Sequence, residues 1–363
     1  MTQATTSTAE EGSGSKKTLR VGFIGAGMIL KAHAEQYRSR PDVELVAAAD
    51  VARENLERVG ETYGIEGLYE DWGEMLEKEA LDAVSVCTPN HLHYRPTLDA
   101  LNAGCHVIVE KPLAMNAEEG REMVELARSK GLVLTIGFQF RYAPSTQMVK
   151  RAFDAGTLGE VMAAKVRAVR RRGIPNWGVF GRKDLQGGGA LIDIGVHAME
   201  MTHYCMGSPR PVAATANTWT YLGNKPSDVA SMWPNWDYEN YTVEDLAVGH
   251  VRFENGAVMQ VEAMFAGHVP PESEGMKFQL IGTAGGATND PPALYYDKDG
   301  TMVNATPGFL PKDDKWPRKM GNFVDAALYG REDESPGEHG LMIQQIIDAL
   351  YRSSEAGREV EIA

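Results

Sequence analysis

The sequence predicts an α/β protein of two domains, and three observations support that prediction. The chain has 363 residues, more than the roughly 250 to 300 over which a single core usually grows. Apolar runs of strand length alternate with helical stretches from Leu19 to Phe138. Beyond that point most strand candidates follow one another without a helix between them. We therefore expect a flexible tail at 1–17, a first domain at 18–141 and a second domain at 142–363.

The first domain is predicted to contain a doubly wound parallel sheet. Its strand candidates are apolar on both faces, and a helical stretch follows each of the first four. Parallel strands that are covered by helices on both faces of a sheet have this pattern, which is that of a Rossmann fold. The predicted strands are LRVGFIG, VELVAAAD, AVSVCTP, HVIVEKP and VLTIGF, and the helices between them end near Ser39, Tyr63, Ala103 and Ser129.

The second domain is predicted to be a mostly antiparallel sheet that carries a few helices. The turn Glu254-Asn255-Gly256 separates two apolar runs and indicates a hairpin. The last helix, from Leu341 to Ser354, is amphipathic and is expected to pack on either domain. The other predicted elements are strands at Val161–Val169, Ala213–Tyr221, Glu244–Phe253, Ala257–Phe265 and Lys277–Ile281, and helices at Pro144–Ala155 and Ala190–Tyr204.

Composition and charge exclude several classes of protein. Hydrophobic residues make up 43% of the chain and charged residues 24%, as in ordinary globular proteins. The formal charge of -14 would repel a polyanion, so we expect no nucleic-acid partner. No apolar run approaches the roughly 20 residues of a membrane span, and the N-terminal stretch lacks a signal-peptide pattern. The three cysteines lie far apart in apolar contexts, which indicates reduced thiols in a cytoplasmic protein.

A dinucleotide site is predicted where the first strand leads into a helix. Gly25-Ala26-Gly27 permits a tight turn and close backbone approach to a pyrophosphate at the helix N-terminus, where Met28 and Ile29 begin the helix. Leu30 stands where a third small residue is usual. Asp50 ends the second strand about 20 residues later, where a carboxylate can accept the ribose hydroxyls and repel a 2′-phosphate.

These residues favour NAD over NADP, although Arg53 could still bind the 2′-phosphate of NADP. Two plainer interpretations stay open. The glycines could form an ordinary strand-to-helix turn, and Asp50 could cap the helix that follows it.

Other strands also end in polar residues at the edge where open α/β sheets bind ligands. Thr88-Pro89-Asn90 closes one strand and is expected to line the nicotinamide side. Glu110-Lys111-Pro112 closes the next and places an ammonium group there, and Gln139 and Tyr142 follow the last strand at the domain junction. His91 and His93 would face different sides of a new helix, so we predict no metal site.

A second group of reactive side chains is predicted after the glycine turn Gly187-Gly188-Gly189. Asp193 and His197 are four residues apart, so on a helix they share a face. A carboxylate beside an imidazole can hold its tautomer and assist removal of an alcohol proton near neutral pH. Lys111 could reach the same alcohol oxygen as a donor. The alternative is an N-terminal aspartate and a core histidine without a catalytic role.

Together these motifs resemble the Gfo/Idh/MocA oxidoreductase family, named for glucose-fructose oxidoreductase and inositol dehydrogenase. The residues that carry the resemblance are Gly25-Ala26-Gly27 with His33, Thr88-Pro89-Asn90 with His93, Glu110-Lys111-Pro112, and Asp193 with His197. The resemblance implies a Rossmann domain, an α/β domain with a large open sheet, a bound nicotinamide dinucleotide, sugar or inositol substrates, and homo-oligomers. It places the catalytic roles on Lys111, Asp193 and His197.

The resulting site prediction is as follows. The predicted cofactor-binding residues are Gly25, Gly27, Met28, Ile29, Asp50, Thr88, Pro89, Asn90, His93, Glu110, Lys111 and Gln139. The predicted substrate-binding residues are Lys111, Tyr142, Arg172, Asn176, Trp177, Asp193 and His197. The loop from Gly223 to Tyr241 is rich in aromatic residues, which suit either a sugar ring, an aromatic aglycone or a subunit contact.

The preferred function is hydride transfer between a nicotinamide cofactor and a secondary alcohol of a glucose-type ring or glycoside, with C3 as a candidate carbon. In this hypothesis His197 takes the hydroxyl proton, Lys111 stabilises the charge on oxygen and Asp193 orients His197. The sequence leaves open whether Lys111 or His197 is the ultimate base. The alternatives are an inositol dehydrogenase, a ketosugar reductase, a non-enzymatic dinucleotide-binding sensor and a metal-dependent lyase.

Overall fold

A computed structural model describes residues 18–362, which form two separate β-sheets. The tail predicted for residues 1–17 lies outside the described residues. Within residues 18–362, no helix combines the length and apolarity that crossing a lipid bilayer requires. The two sheets and their helices confirm the predicted combination of a Rossmann domain with a second α/β domain.

The first sheet has six parallel strands in the order β3-β2-β1-β4-β5-β6. Its strands are β1 Leu19–Ile24, β2 Val43–Ala49, β3 Gly67–Tyr69, β4 Ala83–Val86, β5 His106–Val109 and β6 Leu134–Ile136. Chain order reverses between β1 and β4, which makes the crevice beyond their carboxyl ends the expected ligand site.

Five helices connect these strands and cover both faces of the sheet. They are α1 Met28–Arg38, α2 Arg53–Tyr63, α3 Trp72–Lys78, α4 Tyr94–Asn102 and α5 Ala117–Lys130. The sequence analysis did not predict β3 and α3. A strand of three residues at the edge of a sheet has too few residues to produce a recognisable period.

The second sheet has nine strands in the order β14-β13-β12-β11-β7-β10-β9-β8-β15. Only β7 and β10 pair in parallel, so the prediction of a mostly antiparallel sheet is confirmed. The strands are β7 Val161–Val169, β8 Pro211–Trp219, β9 Leu246–Phe253, β10 Val258–Met264, β11 Gly275–Gly282, β12 Gly285–Asn289, β13 Pro292–Lys298, β14 Thr301–Ala305 and β15 Val360–Glu361. The predicted hairpin joins β9 to β10, and Gly256 has a φ of 84° in its turn.

One face of the nine-stranded sheet is covered by helices, and alternate side chains of its strands point to the other face. The remaining helices are α6 Pro144–Asp154, α7 Lys183–Gln186, α8 Val196–Cys205, α9 Lys315–Tyr329 and α10 Gly337–Ala356. A π-helical turn, Leu191–Gly195, leads directly into α8. The sequence analysis missed β12 to β14 and α9.

The last two helices bind the two halves of the chain together. In α10, Asp348 accepts a hydrogen bond from the backbone of Ala117, while Ser353 accepts one from Ala216 in β8. In α9, Asp325 forms an ion pair with Arg40 just after α1. The final helix therefore packs on both halves, which is more than the sequence analysis predicted, and α9 lies beside the first helix of the parallel sheet.

Candidate active site

The crevice between β1 and β4 is narrow enough to require a glycine. Gly25 has a φ of 92°, a conformation that other residues rarely adopt. A Cβ atom at this position would lie 2.7 Å from the carbonyl oxygen of Cys87, which follows β4. The turn after β1 therefore packs backbone against backbone.

Gly27 leaves the N-terminus of α1 open. A Cβ atom at Gly27 would have no neighbour within 4 Å, and no side chain caps the helix. Met28, the first helical residue, is 78% exposed, whereas Leu30 is buried in the core. Free backbone N–H groups at an uncapped helix N-terminus suit a pyrophosphate, so these residues fit a dinucleotide.

Asp50 braces this turn from the end of β2. One carboxylate oxygen accepts the N–H of Ala26 at 2.7 Å, and the other accepts the N–H of Ala52 at 2.8 Å. Asn55 also donates to the oxygen that accepts from Ala52, at 3.4 Å, so the oxygen that accepts from Ala26 keeps a second lone pair, which a ribose hydroxyl can use. Arg53 forms an ion pair with Glu57, and its Nε atom lies 3.2 Å from Oε1 of that residue. Asp50 thus combines the predicted position at the ribose with a local bracing role.

The end of β4 is fixed by side chains that the sequence analysis assigned to the cofactor. The hydroxyl of Thr88 donates to the carbonyl of Leu92, and Asn90 donates to the carbonyl of Gln186. His93 is buried with its ring nitrogens 2.6 Å from the carbonyl oxygen of Pro112 and 3.0 Å from that of Thr88. The ring of His93 therefore joins the ends of β4 and β5, and its contact with the cofactor stays a prediction.

Glu110 also points inward. Its carboxylate lies 2.7 Å from Nζ of Lys319 in α9 and 2.9 Å from Nε2 of His33 in α1. Burial alone would raise the pKa of Glu110, but the Lys319 charge and the His33 hydrogen bond hold it far below its usual range. Burial, followed by the Lys319 charge, lowers the pKa of His33 to about 4. The side chain of Glu110 is therefore held in the interior by Lys319 and His33, and its predicted place at the cofactor stays untested.

Lys111, the next residue, points to the second sheet. Its Nζ donates to Oδ1 of Asp193 at 2.8 Å and to the Asp193 carbonyl oxygen at 3.1 Å. Asp193 lies in the π-helical turn that precedes α8. Within residues 18–362 no hydrogen bond joins its carboxylate to His197, so the expected orientation of His197 by Asp193 is not found. The widened turn directs the carboxylate to Lys111.

His197, in the first turn of α8, is buried beside Phe140, whose ring centroid is 4.9 Å away. Its Nδ1 atom has no hydrogen-bond partner among the described residues, and the same holds for Oε1 of Gln139. Burial is the main cause that lowers the pKa of His197 well below its usual value of 6.5, and the Lys111 charge lowers it in addition. The imidazole is therefore neutral at pH 7 and able to accept a proton.

The glycine turn before Asp193 is anchored by Glu244. The N–H groups of Gly189 and Leu191 donate to its two carboxylate oxygens at 2.8 and 2.9 Å. A Cβ atom at Gly189 would lie 1.9 Å from the Glu244 carbonyl oxygen. The hydroxyl of Tyr351 in α10 donates to the same carboxylate. The turn is therefore tightly packed.

A cleft of about 270 Å³ opens beside these residues. It is lined by Gln139, Phe140, Arg170, Pro175, Trp177, Phe180, Asp193, Ile194, His197 and Met276. Trp177 is at its mouth, where the sequence analysis expected a substrate contact, and is 37% exposed.

Four predicted substrate residues do not line the cleft, and one of them, Lys111, reaches its edge through the contact with Asp193. The Tyr142 hydroxyl is buried and donates to Asn322, and Asn176 donates to the carbonyl of Pro234. Arg172 donates to the carbonyl of Gly267 at the neighbouring surface. The structure directs the side chains of Tyr142, Asn176 and Arg172 to these partners, and their contact with a substrate stays a prediction.

Two models of one oxidoreductase family match the chain. The model described as oxidoreductase family, NAD-binding Rossmann fold, matches residues 19–138, and the model of the family's C-terminal alpha/beta domain matches residues 150–362. The chain belongs to the Gfo/Idh/MocA oxidoreductase family.

Individual members of the Gfo/Idh/MocA family are similar over most of their length. The D-glucoside 3-dehydrogenase of Escherichia coli K12 is 39% identical over 95% of this chain and 97% of its own. Levoglucosan dehydrogenase of Pseudarthrobacter phenanthrenivorans is 30% identical over 74% of this chain and 73% of its own. The crystal structure of GenD2 from gentamicin A biosynthesis, in complex with NAD, matches with a TM-score of 0.75 and 27% identity. It covers 98% of this chain and 100% of GenD2.

Some cleft residues of this Gfo/Idh/MocA protein were not predicted. Arg170 was not among the predicted substrate residues, although Arg172, two positions later, was. The Arg170 guanidinium lies 5.0 Å from the Trp233 ring and 5.6 Å from the Phe265 ring. Phe180 carried no signal in the sequence.

The two histidines considered for a metal have other partners. Nδ1 of His91 lies 3.1 Å from the carbonyl oxygen of Leu185, and His93 is enclosed as described above. Across residues 18–362 there is no group of three or more His, Cys, Asp or Glu side chains that could bind a metal.

Proposed function

We propose that this protein is an NAD-dependent dehydrogenase that oxidises a secondary alcohol of a glucose-type ring, at C3 of a glycoside. The observation that carries the proposal is the convergence of Lys111, Asp193 and His197 from two sheets at the carboxyl edge of the Rossmann sheet. The 39% identity to a D-glucoside 3-dehydrogenase along almost the whole chain supports the choice of substrate and carbon.

The residues present divide the chemistry between them. When bound, the nicotinamide exchanges a hydride with the carbinol carbon. His197, neutral because of its burial, accepts the hydroxyl proton during oxidation. Lys111 donates a hydrogen bond to the oxygen on which negative charge develops, and Asp193 fixes the position of its ammonium group.

The cofactor is proposed to be NAD. Gly25 and Gly27 allow the backbone to approach the pyrophosphate, and the N–H groups of Met28 and Ile29 face it from the start of α1. The Asp50 carboxylate would accept the ribose hydroxyls and disfavour a 2′-phosphate. The NAD complex of GenD2 supports this preference.

The substrate is proposed to lie in the cleft between His197 and Trp177. Trp177 packs edge-to-face against Trp233, with centroids 4.7 Å apart, and offers an apolar surface to a sugar ring. Arg170 supplies a guanidinium group on the same wall, which can donate to two neighbouring hydroxyls.

We further propose a homo-oligomer formed through the uncovered face of the nine-stranded sheet. Val248 on this face is 45% exposed and lies among polar side chains that include Lys165, Gln260 and Glu262. The open sheet face through which members of the family normally meet a partner supports the proposal. The free, buried cysteines suit a reducing compartment such as the cytoplasm.

The division into domains at 18–141 and 142–363 is likewise a proposal, supported by the two matched ranges.

A substrate screen tests the proposal. Methyl β-D-glucoside, glucose, levoglucosan and myo-inositol are offered with NAD and with NADP, and reduced nicotinamide is followed by its absorbance. The expected result is turnover of the glucoside with NAD, with the new carbonyl placed at C3 by carbon NMR.

Turnover of myo-inositol alone would replace the glucoside assignment with the inositol dehydrogenase alternative. Absence of turnover, with cofactor released only on denaturation, would favour a sensor or a tightly retained cofactor. Lys111→Met is the matched inactive variant in each assay.

A further inference from the structure

Lys319 of α9 is an ammonium group enclosed in the protein. The residue is 0% exposed, and its Nζ lies 2.7 Å from Oε1 of Glu110 and 3.0 Å from Nε2 of His33. It also lies 4.3 Å above the ring of Trp316, one turn earlier in the helix. The site described above does not use this residue.

A charge in such a place is costly unless it is paired. Removing an ammonium group from water costs several kcal/mol, and an apolar pair of similar volume often stabilises a fold equally well. The cluster of Lys319, Glu110 and His33 joins α9, the end of β5 and α1. Its connection with the end of β5 distinguishes it from an ion pair that only fastens helices together.

The cluster is adjacent to the residues of the cleft. Glu110 immediately precedes Lys111, so the position of its carboxylate fixes the backbone from which Lys111 extends to Asp193. The charges of Glu110 and Lys319 also reach His197, and they act on it in opposite directions.

We propose that Lys319 is a positioning residue for the dehydrogenase reaction. Lys319 holds Glu110 so that Lys111 meets Asp193, and the charge of Lys319 offsets that of Glu110 at His197. The inference rests on the proposed function, because it assigns to His197 the role of base. Lys319 itself does not line the cleft and acts through its neighbours.

The electrostatic environment of His197 and of the Lys319 cluster depends on every charged group that surrounds them. Around His197 they are Lys111 and Glu110 after β5, Arg170 after β7, Asp193 in the π-helical turn and Lys319 in α9. Around the cluster they are His33 from α1, Cys87 after β4 and Glu110. His33 is coupled to both residues, because Lys319 lowers its pKa and Glu110 raises it, so its protonation is followed together with that of His197 in every variant.

The experiment is a charge cycle read by the pH dependence of kcat/KM for the glucoside. Lys319→Met leaves the Glu110 carboxylate unbalanced and raises the pKa of His197, so the acid limb moves to higher pH. Glu110→Gln leaves Lys319 unbalanced and moves the limb to lower pH. Each shift is expected to be on the order of one pH unit. The Glu110→Gln, Lys319→Met double variant should return the limb close to its original position.

Two further variants separate positioning from stability. Lys319→Arg keeps the charge and should preserve the acid limb even if kcat falls. Lys150→Met removes a lysine that lies over the Tyr204 ring, far from the cluster in the chain, and should leave the limb in place. An acid limb that does not move in Lys319→Met, or moves equally in the double variant, would overturn the inference.

A second measurement tests the inference even when Lys319→Met or Glu110→Gln fails to fold. The His197 ring is titrated by NMR without substrate in the wild type, the double variant and Lys319→Arg, with His197→Asn used to assign its signal. Equal titration in all three is expected, and a shift in the double variant contradicts the cancellation. If the wild type oxidises no sugar, the proposed function fails while this titration still tests the cluster.

Discussion

Nζ of Lys111 lies 2.8 Å from Oδ1 of Asp193, which joins the end of β5 in one sheet to the π-helical turn before α8. The two side chains are 16% and 7% exposed. The ammonium group donates to both the carboxylate and the carbonyl oxygen of Asp193, and it has three N–H donors. One donor therefore stays available for a substrate oxygen in the adjoining cleft.

Replacement of Lys111 by Met is expected to lower kcat by about 100-fold or more, the usual scale for an acid-base group. Affinity for NADH, measured by calorimetry, should stay nearly unchanged because the ammonium group points to Asp193. Lys277→Met, on a strand of the second sheet, is the matched control and should retain activity. Normal turnover in Lys111→Met would refute the assignment.

Gly27→Ala separates cofactor binding from folding. A methyl group at this position meets no protein atom within 4 Å, so the melting temperature should hardly change. It would occupy the space that a pyrophosphate approaches, and the Kd for NADH should rise by about 10-fold or more, or about 1.4 kcal/mol. Gly25→Ala should instead destabilise the fold, because its Cβ would press on the Cys87 carbonyl. Unchanged affinity in Gly27→Ala would exclude this cradle.

Asp50→Ser tests the choice between the two nicotinamide cofactors. The variant removes a carboxylate that would repel a 2′-phosphate, while a hydroxyl can still accept the Ala26 N–H. The ratio of kcat/KM for NAD to that for NADP should fall about 10-fold, as expected for one charge pair at a partly exposed site. Glu61→Ser, which removes an exposed carboxylate later in α2, is the control. A ratio that Asp50→Ser leaves unchanged would remove the ground for preferring NAD.

The elements found from the sequence are those whose residues follow one period without interruption. The buried parallel strands and the hairpin at Gly256 have such patterns. Helix α9 does not, because Lys319 occupies a position on its buried face, where an apolar residue is expected. The strands β12 to β14 are short and partly exposed, so glycine and polar residues interrupt their alternation.

The candidate site was predictable in position but less so in direction. Strand ends identified Gly25, Asp50 and Lys111, because parallel strands bring their carboxyl ends to one edge. The same rule cannot say whether a side chain turns outward to a ligand or inward to a brace. His93 and Glu110 turned inward, where their partners come from residues distant in sequence.

The contrast between Arg170 and Arg172 provides a prediction about substrate binding. Arg170 lies on the cleft wall beside Trp233, whereas Arg172 donates to a carbonyl outside the cleft. Arg170→Met should raise KM for the glucoside by about 10- to 100-fold, the scale of hydrogen bonds from a charged donor. Arg172→Met should leave KM within a factor of about two, since no contact with the ring is expected. Equal effects of the two substitutions on KM would contradict the location of the substrate.

Stability should fall as the pH is lowered from 7 to 5, because several histidines are buried in their neutral form. Burial lowers the pKa of His33 and of His203 to about 4. The unfolded chain then binds protons near pH 6.5 that the folded chain does not bind, so acid favours unfolding. Each such histidine should reduce the free energy of unfolding by about 2 kcal/mol at pH 5.

Urea unfolding at the two pH values measures this effect. In His203→Asn the free energy of unfolding should differ less between pH 7 and pH 5 than in the wild type. The reduction should equal the contribution of one histidine, about 2 kcal/mol. His268→Asn removes an exposed histidine and serves as the control. A wild-type protein as stable at pH 5 as at pH 7 would show that these rings take up protons without loss of the fold. In that case the burial of His33 beside Lys319 would not fix its charge, and the electrostatic balance inferred for the cluster would need a different basis.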